Sequence, residues 1–440
     1  MLDPISLKDA LKFIVDNRGK TAPTAADGHK LIATNCVSNR DLYPIYENLR
    51  FVSQETYDTW FRAHPEPFDI LLTNKGSQNG AICLVPEVVD FCIAQDMMAL
   101  RADEDKIDPL YLFAALRSSQ VQAAIKNLNV DGVIPHFKKT DFDKLFIPRP
   151  KRPTQEAIGS FHFELCAKIE LNRRMNETLE AMARAVFKDW FVDFGPTRRK
   201  AAGETDPVAI LGGLLPDPAK ATELAVLFPS GFGDNGLPQG WEEREVGDLC
   251  TVVGGGTPST KEPTFWDGGT HNWATPKDLS KLSGLFLRET ERQVTDIGLT
   301  KVSSGLSPVG SVLLSSRAPI GYVAIAEAPV AVNQGFIVMQ PTEAFSTEFA
   351  YFWTQSNLDV IKANANGSTF QEISKKNFRP LLVNHAGDEL TEQFSEVVGP
   401  MMDLIRNNEQ ENQTLAATRD LLLPKLMSGE IRLKDAEDAA

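Results

Sequence analysis

Apolar residues fall into two kinds of pattern along this chain, and each kind occurs twice. Short unbroken runs predict buried strands: Ile70-Leu71-Leu72 and residues 81–85 in the first third, then 311–314, 322–326 and 335–339. A helical stretch follows each group, near 109–128 and again at 347–362. From Thr154 the spacing changes to steps of three and four. Ile158, Phe161, Leu165, Ile169, Asn172, Met175, Leu179, Met182, Val186 and Trp190 trace one face of a helix of about ten turns. Gly195-Pro196 closes it, glycine past the end and then proline. A second stripe begins at Asp388, a good N-cap residue, and runs through Leu390, Phe394, Val397, Met401, Leu404, Asn408, Leu415 and Leu422.

The two groups are copies. Phe68-Asp69-Ile70-Leu71-Leu72 followed by Gly80-Ala81-Ile82 returns as Gly310-Ser311-Val312-Leu313-Leu314 followed by Gly321-Tyr322-Val323. Ala33-Thr34 returns as Ala274-Thr275, and the offset is about 241 (321 − 80, 274 − 33). Asn176-Glu177-Thr178-Leu179 returns as Asn412-Gln413-Thr414-Leu415, at 236 (412 − 176). The expected fold class is mixed α/β (α+β). Two tandem globular domains cover 1–153 and 241–387, and long helices cover 154–195 and 388–430. A Gly/Pro/Ala-rich linker spans 196–240, and an acidic tail spans 431–440. The two helices are expected to pack on each other through Leu165, Ile169, Asn172, Leu179, Met401, Leu404, Asn408 and Leu415. Asn172 and Asn408 match in position; each either fixes the register of the seam or is a solvated residue at its edge. A helix of about 35 residues is roughly 50 Å long, against about 34 Å for one turn of B-DNA. Such a tandem duplication suits measuring and binding more than catalysis.

Composition narrows the class. The chain has 440 residues, 42% hydrophobic and 24% charged, enough for two ordinary cores. No run of 18 apolar residues and no charged-then-apolar leader appears, so a cytoplasmic protein without a membrane span is expected. Cys36, Cys83, Cys92, Cys166 and Cys250 form no Cys-x-x-Cys pair and read as buried thiols. The net charge of −14 argues against a freely acting basic DNA binder. From Asn384 onward, however, 12 acids face 5 Lys/Arg, while residues 1–150 hold 20 acids and 17 Lys/Arg. If DNA is bound, partner subunits would supply part of the phosphate affinity.

The motifs of common enzymes are missing. There is no P-loop, no Gly-x-Ser-x-Gly elbow and no Asn/Asp-Pro-Pro-Tyr methyltransferase motif. Gly231-Phe232-Gly233 is only loosely like a cofactor glycine loop. Glu104-Asp105-Lys106 with Asp90 reads as a solvated charge run rather than a nuclease site. His29, His64, His136, His162, His271 and His385 show no metal-ligand spacing. Neither a catalytic nor a metal site is expected.

Longer phrases stand in the second copy. Leu237-Pro238-Gln239-Gly240-Trp241 leads to Val246-Gly247-Asp248-Leu249, Gly256-Thr257-Pro258-Ser259 and Phe265-Trp266-Asp267-Gly268-Gly269. Trp273-Ala274-Thr275-Pro276-Lys277-Asp278-Leu279 and Ser316-Arg317-Ala318-Pro319-Ile320-Gly321 follow. Phe187-Lys188-Asp189-Trp190-Phe191-Val192-Asp193-Phe194 ends the first helix. The chain resembles the specificity (S) subunit of type I restriction–modification systems over nearly its whole length. The first copy departs, lacking the Gly-Thr-Pro-Ser and Trp-Asp-Gly-Gly phrases. The resemblance implies two target-recognition domains reading a bipartite target in double-stranded DNA, with an antiparallel coiled coil as ruler and docking post. It implies two modification (methyltransferase) subunits using S-adenosylmethionine on adenine N6, and two restriction (translocase–nuclease) subunits using ATP and Mg. The chain itself would be non-catalytic and bind no cofactor. A protein-binding scaffold that does not read DNA and a self-contained nuclease or methyltransferase are the alternatives.

Candidate DNA contacts come from matching loops of the copies: Asn74, Lys75, Gln78 and Asn79 against Ser315, Ser316, Pro319 and Ile320, with Arg317 beside them. Asn and Gln suit adenine edges, and Arg or Lys suit guanine. Plain solvation, or an ion pair for Arg317, is the competing reading. Lys138-Lys139 and Lys375-Lys376 are basic pairs at nearly equivalent positions, suited to phosphate or simply to solubility, and Lys277 joins the set. Trp266 and Trp273 read as packing residues.

Overall fold

The computed structural model describes residues 4–17, 19–128, 134–367 and 371–431. Beyond Ile431 the expected acidic tail lies outside the described residues. The chain divides into two compact units, Met1–Arg173 with Gln410–Ala440 and Arg174–Glu409. The expected boundaries at 153 and 387 are therefore displaced into the long helices, because each unit's core takes in a part of both.

In the first unit a four-stranded antiparallel sheet runs in the order Leu11–Asp16, Met97–Ala102, Ile70–Thr73, Ile82–Leu84. A three-stranded sheet holds His29–Ile32 between Arg50–Val52, antiparallel, and Phe91–Ile93, parallel. Helix Pro109–Arg117 starts where the Asp108 carboxylate accepts from Tyr111 N, with proline in the first turn. Ser118 ends it and caps Ser119–Asn127. Leu72, Ile82, Leu100, Leu112 and Phe113 bury with Ile158 and Cys166 of the first long helix and with Leu423, Leu426 and Met427 of the second. Such all-apolar strand faces bury because no polar group needs a partner there.

The second unit repeats the order. Thr251–Val253, Phe336–Gln340, Val312–Ser315 and Val323–Ala326 pair antiparallel, with Phe286–Leu287 added in parallel at the edge. Its three-stranded sheet is Arg292–Val294, His271–Ala274, Val330–Val332. The strand Glu242–Glu245 pairs with Leu382–His385.

The first long helix is α-helical over Arg152–Phe187 and ends in a π turn, Lys188–Val192. The second is Asp388–Ser428. They pair antiparallel within each unit. In the first unit Asn172 meets Asn412 while Cys166 lies by Arg419. In the second, Asn176 meets Asn408 while Phe187 packs on Phe394. Asn172 and Asn408 are buried at 0% and 6% exposure. Leu179 and Met401 pack against the core, and Leu165, Ile169 and Leu415 are half-buried. Leu404, expected in the seam, is 41% exposed, and Ile405 is buried in its place. The buried set Leu390, Phe394, Val398, Met402, Ile405 and Asn408 drifts around the helix. Leu404 then stands roughly 100° from its middle at 3.6 residues per turn. Met182 likewise faces out, with Ala183 buried beside it.

Each unit ties a long helix to its globular part at one duplicated position, 173 and 409. Arg173 pairs with Asp41 at 2.5 Å. Glu409 accepts from Leu285 N at 2.7 Å and Phe286 N at 3.2 Å, and burial pushes its carboxyl up to about 6. Gly284 makes room, since a Cβ there would lie 2.2 Å from Glu409 Oε1.

The stretch expected as a linker is built structure. It holds helices Gly195–Ala201, Pro207–Ile210 and Pro218–Ala225, the last two capped by Asp206 and Asp217. Ala221, Leu224 and Phe228 join the core around Trp190 and Phe394. Its basic run is used internally. Arg199 grips Asp189 through two bonds of 3.0 and 2.5 Å, and Lys200 Nζ donates to the carbonyls of Ala225 and Phe228.

Candidate nucleic-acid interface

Strand register gathers the candidate loops at one edge of each unit. In the second unit Val253 lies opposite Val338, Ser315 opposite Phe336, and Ala274 beside Val332. Segments 254–259, 275–277, 316–321 and 333–335 therefore leave from the same rim. Backbone bonds stitch them: Gly256 N donates to Val332 O at 3.0 Å and Ser316 N to Gly335 O at 2.8 Å. A Cβ on Gly255 would stand 1.8 Å from Val332 O, so only glycine allows this approach. Segment 372–376 closes the rim, with Ile373 N donating to Ser316 O at 3.1 Å. Lys375 reaches over Gly254, where a Cβ would meet its Nζ at 3.2 Å.

The first unit builds the same rim. Thr73 ends its strand opposite Met97, as Ser315 does opposite Phe336. Lys75 bridges to His136 and Arg317 to Glu372. Lys75 is thus the counterpart of Arg317, one residue away from the matching expected on the turn glycines. The turn from Thr73 to Gly80 is one residue longer than that from Ser315 to Gly321, so aligning the glycines slides the register. Strand pairing likewise matches Ile32, not Ala33, to Ala274.

The predicted residues divide by exposure. Ser315 is fully buried and Ser316 2% exposed, and Ser315 Oγ donates to Pro319 O while accepting from Gly321 N and Tyr322 N. Ser315 thus holds the turn together, and both serines are withdrawn from solvent. Asn79 Oδ1 accepts from Phe137 N at 3.0 Å, and half-buried Asn74 contacts His136 Nε2 at 3.4 Å. These two asparagines also hold the loop. Gln78, Lys138, Lys139, Arg317, Lys375, Lys376 and Lys277 are exposed, and Lys75 is half-buried. Lys75 meets Asp96 at 3.9 Å, Lys139 meets Asp16 at 3.7 Å, and Arg317 meets Glu372 at 3.6 Å. Lys281 and Lys277 both bind Glu291 and hold its carboxyl down at about 2.

Sequence reading missed two duplicated contacts. Thr257 Oγ1 bonds Gln334 Oε1 at 2.6 Å, and Gln95 Nε2 donates to Thr21 Oγ1 at 3.1 Å. The first copy thus keeps the clasp of the Gly-Thr-Pro-Ser loop without its sequence. His271 meets Asp296 at 2.7 Å and His29 meets Gln54 at 2.8 Å, both 242 apart (271 − 29, 296 − 54). Among the described residues no group of three or more His, Cys, Asp or Glu could hold a metal, and no helix is long and apolar enough to cross a membrane. All five cysteines are free and buried.

Comparison with known proteins decides the family. Residues 29–181 and 238–384 each match the type I restriction modification DNA specificity domain. The chain belongs to this family. It is a DNA sequence-specificity subunit of a type I restriction–modification system, a non-catalytic component. It is 27% identical over 399 residues to the type I restriction enzyme HindI specificity subunit of Haemophilus influenzae, covering 82% of this chain and 86% of that one. The MjaIX specificity subunit of Methanocaldococcus jannaschii is 35% identical over 181 residues, 41% of this chain and 42% of the relative. The crystal structure of a type I restriction–modification S subunit from M. genitalium shares the fold, with a TM-score of 0.57 at 16% identity over 97% of this chain and 96% of that one.

Proposed function

We propose that the two rims each read one half of a bipartite target in double-stranded DNA, and that the paired helices set the unspecific spacer between the halves. The observation that carries this is the repetition of cations at matching rim positions. Arg317 answers Lys75, and Lys375 answers Lys139, each opening the short helical turn that follows the bridged segment. Repeated cations suit phosphates, which are alike in any sequence, while the loops that differ supply the reading of bases. Methyltransferase and restriction subunits, two of each, dock on the helices. S-adenosylmethionine belongs to the former and ATP with Mg to the latter. A cytoplasmic location fits the five free thiols.

The test is selection from a random duplex pool by the full chain assembled with its host's methyltransferase subunits. Two short conserved elements at a fixed separation are expected. A single contiguous motif, or no enrichment, would overturn the reading.

A further inference from the structure

Arg292 opens the strand Arg292–Val294, opposite Trp273. Its guanidinium carbon lies 3.5 Å from the centre of the Trp266 ring and 5.8 Å from that of Trp273. The two indoles meet edge to face at 5.0 Å. Both are pinned to the Gly-Thr-Pro-Ser loop: Trp266 Nε1 donates to Ser259 O and Trp273 Nε1 to Gly256 O, each at 3.0 Å. That loop carries Thr257 and its bond to Gln334, so the stack belongs to the rim.

Arg292 is exposed, yet among the described residues it makes no ion pair with a carboxylate. Neighbouring arginines are tied down: Arg288 pairs with Glu327, and Arg317 with Glu372. Arg292 therefore presents a planar guanidinium whose face is held on an indole and whose N–H edge is uncommitted. A plane fixed in advance loses little freedom when it makes two parallel hydrogen bonds.

The first unit has Arg50 at the matching position, opposite Leu31. Arg50 is also exposed, but among the described residues no aromatic ring stacks on it. A grip on the phosphate backbone should be alike in the two domains, because the backbone is alike. A clamp built in only one domain suits a feature that differs between half-sites, which is base sequence.

We propose that Arg292 reads a guanine in the half-site of the second domain, donating two hydrogen bonds to its O6 and N7 in the major groove. The proposal rests on the reading that the rims bind DNA. Random-pool selection with the same assembled complex tests it, using wild type, Arg292→Lys, Arg292→Ala and Trp266→Leu. Wild type should show a G·C pair in one half-site. Arg292→Lys and Arg292→Ala should each weaken preference at that pair by about tenfold or more, leaving the other positions and the other half-site unchanged. Trp266→Leu keeps the arginine but frees its plane, and should blunt the same preference. Thermal midpoints of each variant show which assemblies are intact; should either arginine variant misfold, the tryptophan variant decides alone. An unchanged motif overturns the proposal. So does an equal loss across all sequences, the mark of a phosphate contact. A wild-type pool with no motif overturns instead the DNA reading on which it rests.

Discussion

Asn172 and Asn408, 236 positions apart, make the same contact with the helix roles exchanged. Asn172 Nδ2 donates to Asn412 Oδ1 at 3.0 Å, and Asn408 Nδ2 donates to Asn176 Oδ1 at 2.8 Å. Asn172 also donates to Glu411 at 2.7 Å. Buried amides in an apolar seam favour one alignment of the helices, because sliding by a turn would strand them without partners. Asn408→Ala should destabilise the chain by about 1–2 kcal/mol. A double-mutant cycle with Asn176→Ala in urea should show coupling of at least about 0.5 kcal/mol. Additive effects would mean that the pair does not act as a unit.

Glu409 gives the second unit a pH dependence of known sign. Burial raises its carboxyl to about 6, above the ordinary 4.5. The folded chain therefore favours the protonated form, so this contribution is full below about 4.5 and is lost as pH rises through about 6. Wild type should lose roughly 2 kcal/mol between pH 4.5 and 7 that Glu409→Gln does not lose. Urea midpoints of both proteins at the two pH values check this, and parallel curves would rule it out.

Lys375 and Lys376 are exposed and carry no ion pair among the described residues. Their joint replacement by alanine should weaken binding to all duplexes alike. The slope of log affinity against log salt should fall by about 0.9 for each phosphate that is no longer neutralised. Fluorescence anisotropy of the assembled complex at several salt concentrations measures it. A change in preferred sequence with an unchanged slope would move these lysines from the phosphate backbone to the bases.

Four residues inserted into both helices, after Arg173 and after Glu409, lengthen each by about 6 Å, or about two base-pair steps. The spacer of the enriched motif should lengthen and both half-sites should persist. Altered half-sites with the old spacer would refute the ruler.

Much of the fold was legible. Unbroken runs such as Ile70-Leu71-Leu72 and Val312-Leu313-Leu314 became central strands, because burial on both faces leaves no polar position to confuse the pattern. Both long helices stood out because a continuous stripe of many turns has no other explanation. The stretch 196–240 misled through its prolines. Asp206-Pro207 and Asp217-Pro218 are helix starts, a carboxylate cap before a first-turn proline, and the signal was present in the letters. The rim was harder. Ser315 and Ser316 are polar and so resemble surface residues, but a turn folds over them and buries both. The bond between Thr21 and Gln95 joins residues 74 apart with no shared phrase around them. His29 and His271 were hidden by a change of partner, glutamine in one copy and aspartate in the other.

The second unit, Arg174–Glu409, is one unbroken stretch of chain, whereas the first is assembled from both ends of the sequence. Its own portions of both rods, its Asn176–Asn408 bond and its Glu409 anchor all travel inside that stretch. A single recombination cassette cut at those two points would thus bring a new recognition specificity with its mounting intact. Heredity could then trade one half of the target while leaving the other half in place.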